Sequence, residues 1–170
     1  SLVSPWAWAT KYRVRGDSCF ACPIACKGVY EVREGPFKGI KGKNIEFGHI
    51  TQLASQVDIA DYGAICYLQN LISSELGMDI VELGHTLGMA MECYQRGIIT
   101  KEDTNGIALE WGNIDAVIEM IKIIAYRKGF GKILAEGVKR AAEYIGKGAE
   151  KYAMHVKGMA LDGVDLRVAQ

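Results

Sequence analysis

From about Thr51 onward the chain carries a helical period. In "DIADYGAICYLQNLISSELG" the apolar residues Ile65, Leu68, Leu71, Ile72 and Leu76 recur at spacings of three and four, which is the stripe a helix needs to face a core. Gly77 stands where this helix would stop, because glycine accepts the left-handed backbone of a C-terminal cap. Asp79 is placed to cap a second helix over "IVELGHTLGMAMECYQR", with Gly97 as its terminator. Asn113 plays the same part for "IDAVIEMIKIIAYRK", which ends at Gly129, and a last helix, "KILAEGVKRAAEYIG", runs to Gly146. Thr100 to Asp103 reads as a capping box with the shorter acid.

The first third follows a different rule. "GVYEVREGPFKGIKGKNIEF" alternates apolar and polar positions and is interrupted by Gly35, Pro36, Gly39 and Gly42. That pattern suggests a short β-hairpin or a glycine-rich loop. The tail "YAMHVKGMALDGVDLR" lacks helical period and reads as extended. The predicted fold is mainly α: an irregular helical region over residues 50–170, entered through a cysteine loop and hairpin over residues 1–49.

Composition narrows the classes. With 49% hydrophobic and 24% charged residues the 170-residue chain is of globular type. Twenty basic and twenty acidic residues cancel, so no global field favours nucleic acid or an anionic membrane. No run approaches the roughly 18 apolar residues of a spanning helix. The chain opens on "SLVSPWAWAT" without an initiator Met, and Trp6 and Trp8 require something to pack against. It stops at "DLRVAQ" without a capping pattern, so a piece of a longer polypeptide is expected.

Chemistry concentrates in "CFACPIACK". Cys19, Cys22 and Cys26 form C-x2-C-x3-C, a spacing that suits a tetrahedral zinc or an iron–sulfur cluster. Five cysteines, three of them in one loop, fit metal ligation in a reducing, cytoplasmic compartment better than a disulfide framework. Zinc would recruit a second cysteine or histidine pair, and none has the spacing; His49 is the nearest imidazole. Cys66 and Cys93 sit among apolar helical neighbours and read as buried small hydrophobes. A [4Fe–4S] cluster whose fourth cysteine lies outside this chain accounts for the pattern best.

"CFACPIACKG" resembles the cluster loop of the aldehyde ferredoxin oxidoreductase family of tungsten enzymes. "SSELGMDIVELGHTLGMAMECYQRGIIT", "WGNIDAVIEMIKIIAYRKGFGKILAEGVKRAAE" and "KYAMHVKGMALDGVDLR" resemble later family segments in the same order. The resemblance implies a fragment of the family's helical region, without the N-terminal pterin domain. It implies Cys19, Cys22 and Cys26 as cluster ligands and "SELGMD" as a loop touching a tungsten-bis-pterin, or its molybdenum counterpart, through Gly77, Met78 and Asp79. Ser74 there replaces an acid and Met78 a leucine. By the same resemblance His155 lies near the metal, Glu46 is a candidate general base, and Lys157 and Arg167 are candidate contacts to pterin phosphates. Phe47 and Gly48 stand where the family has a tyrosine and a second acid.

The function implied is oxidation of an aldehyde to a carboxylate with ferredoxin as electron acceptor, in a homo-oligomer without nucleic-acid or membrane partners. A second reading within the same superfamily is a class II benzoyl-coenzyme A reductase-like tungsten subunit. A third, of another kind, is a helical iron–sulfur module for electron transfer or interaction. Glu82 and His85, three apart on one helix face, read as a solvated or pocket-lining pair.

Overall fold

A computed structural model describes residues 4–45 and 47–161. The N-terminal turn α1 (Pro5–Ala7) continues as a π-turn over Trp8–Tyr12 and leads into a three-stranded antiparallel sheet. Its strands are β1 (Arg13–Asp17), β2 (Lys27–Glu31) and β3 (Lys41–Ile45), in that order. On β2 the residues Gly28 and Tyr30 are buried, whereas Arg15, Lys41 and Lys43 on the flanking strands are exposed, so the inner face alone joins the core. Trp8, Tyr12, Tyr30 and Tyr62 form one aromatic cluster with centroids 5.2 to 6.4 Å apart. The expected packing of the tryptophans is thus met by Trp8, which is buried, while Trp6 is 72% exposed. Tyr30 donates its hydroxyl to the carbonyl of Cys66 at 3.1 Å, fastening the sheet to the helices.

The helices follow as α2 (Phe47–Val57), α3 (Tyr62–Gln69), α4 (Ile80–Gln95), α5 (Ile114–Ala125), α6 (Gly131–Leu134) and α7 (Val138–Ile145). The fold is mainly α, as the period predicts. Asp61, Asp79 and Asn113 each accept a backbone N–H three residues on, so the three caps are real. One core cluster runs from Trp8 through Tyr30 and the helices to Ala149. Helices α2 and α4 cross closely because Gly84 and Gly88 lie one turn apart on α4. A Cβ on Gly88 would come within 2.8 Å of the Gln56 carbonyl oxygen.

Four expectations are corrected. The helical region begins at Phe47 rather than near Thr51. The predicted last helix is two, α6 and α7, parted at Gly137 with φ of +85°. Asp103 does accept the Thr100 N–H at 2.8 Å, but turns follow instead of a helix. The Thr104 hydroxyl donates to the Ile107 carbonyl at 2.6 Å and closes that loop. The sheet also has one strand more than the predicted hairpin, β1. The extended tail is a small hairpin, β4 (His155–Val156) with β5 (Met159–Ala160).

Gly131 marks the tightest contact between α5 and α6, where a Cβ would lie 2.3 Å from the Ile123 carbonyl carbon and oxygen. Backbone cannot yield as a side chain does, so Gly131→Ala is expected to cost about 2–3 kcal/mol. Thermal unfolding should show a Tm about 5–10 °C lower. Gly48→Ala, where nothing lies within 4 Å, should leave the Tm unchanged or slightly higher.

Candidate cofactor site

The cysteine loop is the connection between β1 and β2, whose register pairs Asp17 with Lys27. Within it the Cys22 N–H donates to the Cys19 carbonyl at 3.1 Å. Ala21 and Ala25 adopt left-handed backbone, φ +57° and +52°, a conformation that costs a non-glycine residue something and is held here by neighbours. Arg13 supplies one such restraint, its Nη2 donating to the carbonyls of Ala25 and Lys27 at 3.3 and 3.4 Å.

All five thiols are free; Cys19 and Cys26 are exposed, Cys22 is half-buried, and Cys66 and Cys93 are buried. Burial pushes the Cys66 thiol up to about 12 and the Cys93 thiol up to about 11, so neither is a ready thiolate. The Lys27 ammonium is raised above its usual range, first by a hydrogen bond to Cys19 and then by that thiolate's charge.

Among the described residues no three His, Cys, Asp or Glu side chains converge on one point as ligands of a single ion would. A cubane makes a different demand, because each thiolate binds its own iron. Three free thiols on one exposed loop beside a cation therefore fit a cluster in donor chemistry.

Lys27 also borders a polar cavity of about 320 Å³, whose other walls include Lys43, His49, Gln69, Met78 and Asp79. The chain reaches this cavity through a π-turn, Asn70–Glu75, after α3. Such π-turns are rare and are found frequently at functional sites. Leu76 N–H then donates to Leu71 O at 3.0 Å, and Met78 N–H to Ile72 O at 2.9 Å, while Gly77 takes φ +64°. The result is a helix stop that turns Met78 and Asp79 to the cavity wall. One Asp79 oxygen caps α4 through the Glu82 N–H at 2.7 Å, and the other has no partner among the described residues.

Gln69 is 5% exposed and its Oε1 accepts no hydrogen bond among the described residues, an expensive arrangement for a buried acceptor. Unengaged acceptors at Gln69 and Asp79, with cations at Lys27 and Lys43, match a ligand with ring N–H donors and an anionic tail. A pterin phosphate has both. On the far side of Met78 and Asp79 lies a second cavity of about 300 Å³, walled mainly by Leu76, Leu83, Ile124 and Leu134.

The remaining predicted residues lie elsewhere. His155 and Lys157 belong to the β4–β5 hairpin and do not line the polar cavity. Gly158 N–H donates to His155 Nδ1 at 3.3 Å, and Lys157 occupies the turn with φ +55°. The hairpin is tied to α4 by Glu82, whose Oε2 accepts the Ala160 N–H at 2.8 Å and whose Oε1 accepts the Val138 N–H at 2.7 Å. Glu82 is therefore a brace that also lines the second cavity, so of the two expectations, solvated or pocket-lining, the second holds for it. His85 lines a different cavity, with Gln56 and Trp111, and its Nε2 is buried without a partner among the described residues. Glu46 and Arg167 lie outside the described residues. Lys27, Lys43 and Gln69 are cavity residues that the sequence pattern did not single out; only Lys27 carries a signal, its place directly after Cys26.

The sequence profile of aldehyde ferredoxin oxidoreductase, domains 2 and 3, matches residues 3–170. The chain belongs to the aldehyde ferredoxin oxidoreductase family. It is 38% identical to the WOR-like subunit of the aliphatic sulfonate oxidoreductase of Pyrococcus furiosus, over 94% of this chain and 25% of that protein. It is 40% identical to the tungsten-containing aldehyde ferredoxin oxidoreductase of Pyrococcus horikoshii, over 96% of this chain and 26% of the relative. The chain thus spans about a quarter of the length of these relatives. The fold matches a solved structure, the active-site complex BamBC of benzoyl coenzyme A reductase with 1,5-dienoyl-CoA. The TM-score is 0.77 at 24% identity, covering 94% of this chain and 24% of that one. Among the described residues no helix is long and apolar enough to cross a membrane.

Two outcomes follow from this geometry. Glu82→Ala strips two backbone N–H groups of a charged acceptor and is expected to cost about 2–4 kcal/mol. Hydrogen exchange should accelerate at the Val138 and Ala160 amides, and Glu82→Gln should fall between the two. Iodoacetamide at pH 8 should label Cys19, Cys22 and Cys26 of the cluster-free protein and spare Cys66 and Cys93. For the spared thiols both access and thiolate fraction are low at that pH, and mass spectrometry before and after denaturation counts the difference.

Proposed function

We propose that this chain is part of a tungsten- or molybdenum-pterin oxidoreductase that oxidises an aldehyde to a carboxylate and passes the electrons to ferredoxin through a [4Fe–4S] cluster. The observation that carries the reading is the position of Lys27. It joins the loop with three free thiols to the cavity walled by Met78 and Asp79, in a chain matched to the family over residues 3–170. One aldehyde and one water give one carboxylate, three protons and two electrons. The pterin-bound metal, when present, supplies the two-electron oxidation.

The chain's own residues bind and hold protons. Cys19, Cys22 and Cys26 offer three cluster ligands, with the fourth cysteine elsewhere in the protein. Asp79 and Gln69 accept ring N–H groups, and Lys27 and Lys43 hold phosphate by charge-assisted bonds. Gly77 lets the backbone approach closely. Met78 contributes an apolar edge beside Asp79. His155, whose Nδ1 is occupied as an acceptor, keeps the proton of the neutral ring on Nε2, where it can donate to an oxygen of substrate. Glu46 is the candidate proton acceptor in carbonyl hydration, and Lys157 a second phosphate contact. A homo-oligomer in the cytoplasm is the expected setting.

Substrate class has two competitors. Phe47 and Gly48 stand where the family carries a tyrosine and an acid, which favours keeping a benzoyl-coenzyme A reductase-like reaction in view. The 38% identity to a sulfonate oxidoreductase subunit adds aliphatic sulfonates to the substrates worth assaying.

Metal analysis of the full-length protein is expected to find tungsten or molybdenum together with about four irons per chain. Iron without either metal would reduce the reading to an electron-transfer module. Reduction of an oxidised dye by aldehydes, without oxidation of a reduced dye by aromatic thioesters and without activity on sulfonates, supports the reaction proposed. Cys22→Ser should abolish the cluster's visible absorbance, and an unchanged spectrum would remove the ligand assignment.

A further inference from the structure

Two parts of the proposed site border different spaces. Met78 and Asp79 wall the polar cavity, whereas His155 and Lys157 belong to the β4–β5 hairpin. A line of hydrogen bonds nevertheless joins them. Asp79 Oδ1 accepts the Glu82 N–H at 2.7 Å, which ties the first turn of α4 to the cavity wall. The Glu82 side chain continues the line, its Oε2 accepting the Ala160 N–H at 2.8 Å and its Oε1 the Val138 N–H at 2.7 Å. Ala160 pairs with His155 across the hairpin. Every one of these bonds joins described residues to one another, so the line does not depend on which surfaces other parts of the protein cover.

Glu82 holds the hairpin twice. One hold is direct, at Ala160. The other runs through α7, where a Cβ on Gly158 of the hairpin turn would lie 3.5 Å from Lys139 Cδ. A two-residue ladder has little stability of its own, so the place of His155 follows the place of this carboxylate. At the opposite end of the line the second oxygen of Asp79 has no partner among the described residues. A ligand N–H on that oxygen would fix the plane of the carboxylate and, with it, the cap on α4.

We propose that Glu82 is a positioning residue, through which a ligand held by Asp79 in the polar cavity sets the place of the His155 hairpin. This rests on the proposed oxidoreductase reading and adds to it how the cofactor cavity and the proton-holding imidazole come into one arrangement. In the empty protein the first turn of α4 is held at Asp79 by the cap alone, and the hairpin hung on it opens more readily. A second bond to Asp79 stiffens that turn, and Glu82 passes the constraint to Ala160. Linkage makes the effect reciprocal: loosening the hairpin from Glu82 weakens the hold of the cavity on its ligand.

The test uses the full-length protein in two preparations, one loaded with its metal–pterin and one from a host that makes no pterin. Hydrogen exchange read by mass spectrometry should be slower at the Ala160 amide in the loaded protein, by about fivefold or more. In Glu82→Ala the two preparations should exchange alike at Ala160. Its aldehyde-dependent kcat per bound metal should fall about ten- to a hundredfold with KM little changed, the cost of a donor displaced by about 1 Å. Glu82→Gln keeps one acceptor oxygen and should recover part of both effects; it serves where Glu82→Ala does not fold. Gly131→Ala, destabilised at its contact with Ile123, should keep the slowing at Ala160 and the kcat per bound metal.

Equal exchange at Ala160 in the loaded and empty unmutated protein would overturn the proposal. So would an unchanged kcat per bound metal in the Glu82 variants. Loss of the slowing in Gly131→Ala to the same degree as in Glu82→Ala would also overturn it, in favour of general destabilisation. Iron without tungsten or molybdenum in the unmutated protein would instead refute the oxidoreductase reading, and metal analysis identifies that case before any exchange is measured.

Discussion

Glu82 holds together parts of the chain that have no other reason to meet. It stands in the first turn of α4, where Asp79 caps it, and its two oxygens accept N–H groups from residues 56 and 78 positions away. One bond closes the start of α7 and the other pins the β4–β5 hairpin. A short helix with an uncapped start and a two-residue ladder are both weak alone. Joined to one carboxylate on a sixteen-residue helix, they become part of its frame. The loop at 77–79 and the hairpin carrying His155 and Lys157 are thereby fixed relative to one another, though they border different spaces. This is positioning by one carboxylate that accepts from two distant parts of the chain at once.

The same carboxylate explains where the sequence misled. "KILAEGVKRAAEYIG" has an unbroken helical period, yet the chain breaks at Gly137. A Cβ there would come within 2.8 Å of Glu82 Oε1, and the backbone takes φ +85°. The cause lies 55 positions away, beyond any local pattern. By contrast the starts of α4 and α5 were legible, because the cap and the N–H it accepts are only three residues apart. Thr100 and Asp103 are an intermediate case: the local bond formed, but Thr104 turned its hydroxyl to Ile107 and the chain followed the buried Ile107 and Leu109 into turns. Strand β1, "RVRGD", was hidden by its charges: Arg15 is exposed, while Arg13 turns its guanidinium onto the carbonyls of Ala25 and Lys27.

For the candidate site, the thiols and the 77–79 loop were legible as motifs, and their relation was not. Met78 and Asp79 reach the cavity because a π-turn shifts the end of α3, and periodicity registers that shift only as a slightly irregular stripe. Gln69 looked like an ordinary polar position on an amphipathic helix. Its importance comes from burial without a partner, a property of the assembled walls.

Cysteine usage shows how burial divides one residue type between two tasks. Cys66 and Cys93 are enclosed by helices, so desolvation holds them as neutral thiols that behave as small apolar groups. Cys19 and Cys26 are exposed and Cys22 is half-buried, all three on the loop between β1 and β2, where ligands from outside can reach them. The two environments cannot be exchanged. A thiolate in the core would lack a counter-charge, and a lone apolar thiol on the loop would be exposed to oxidation.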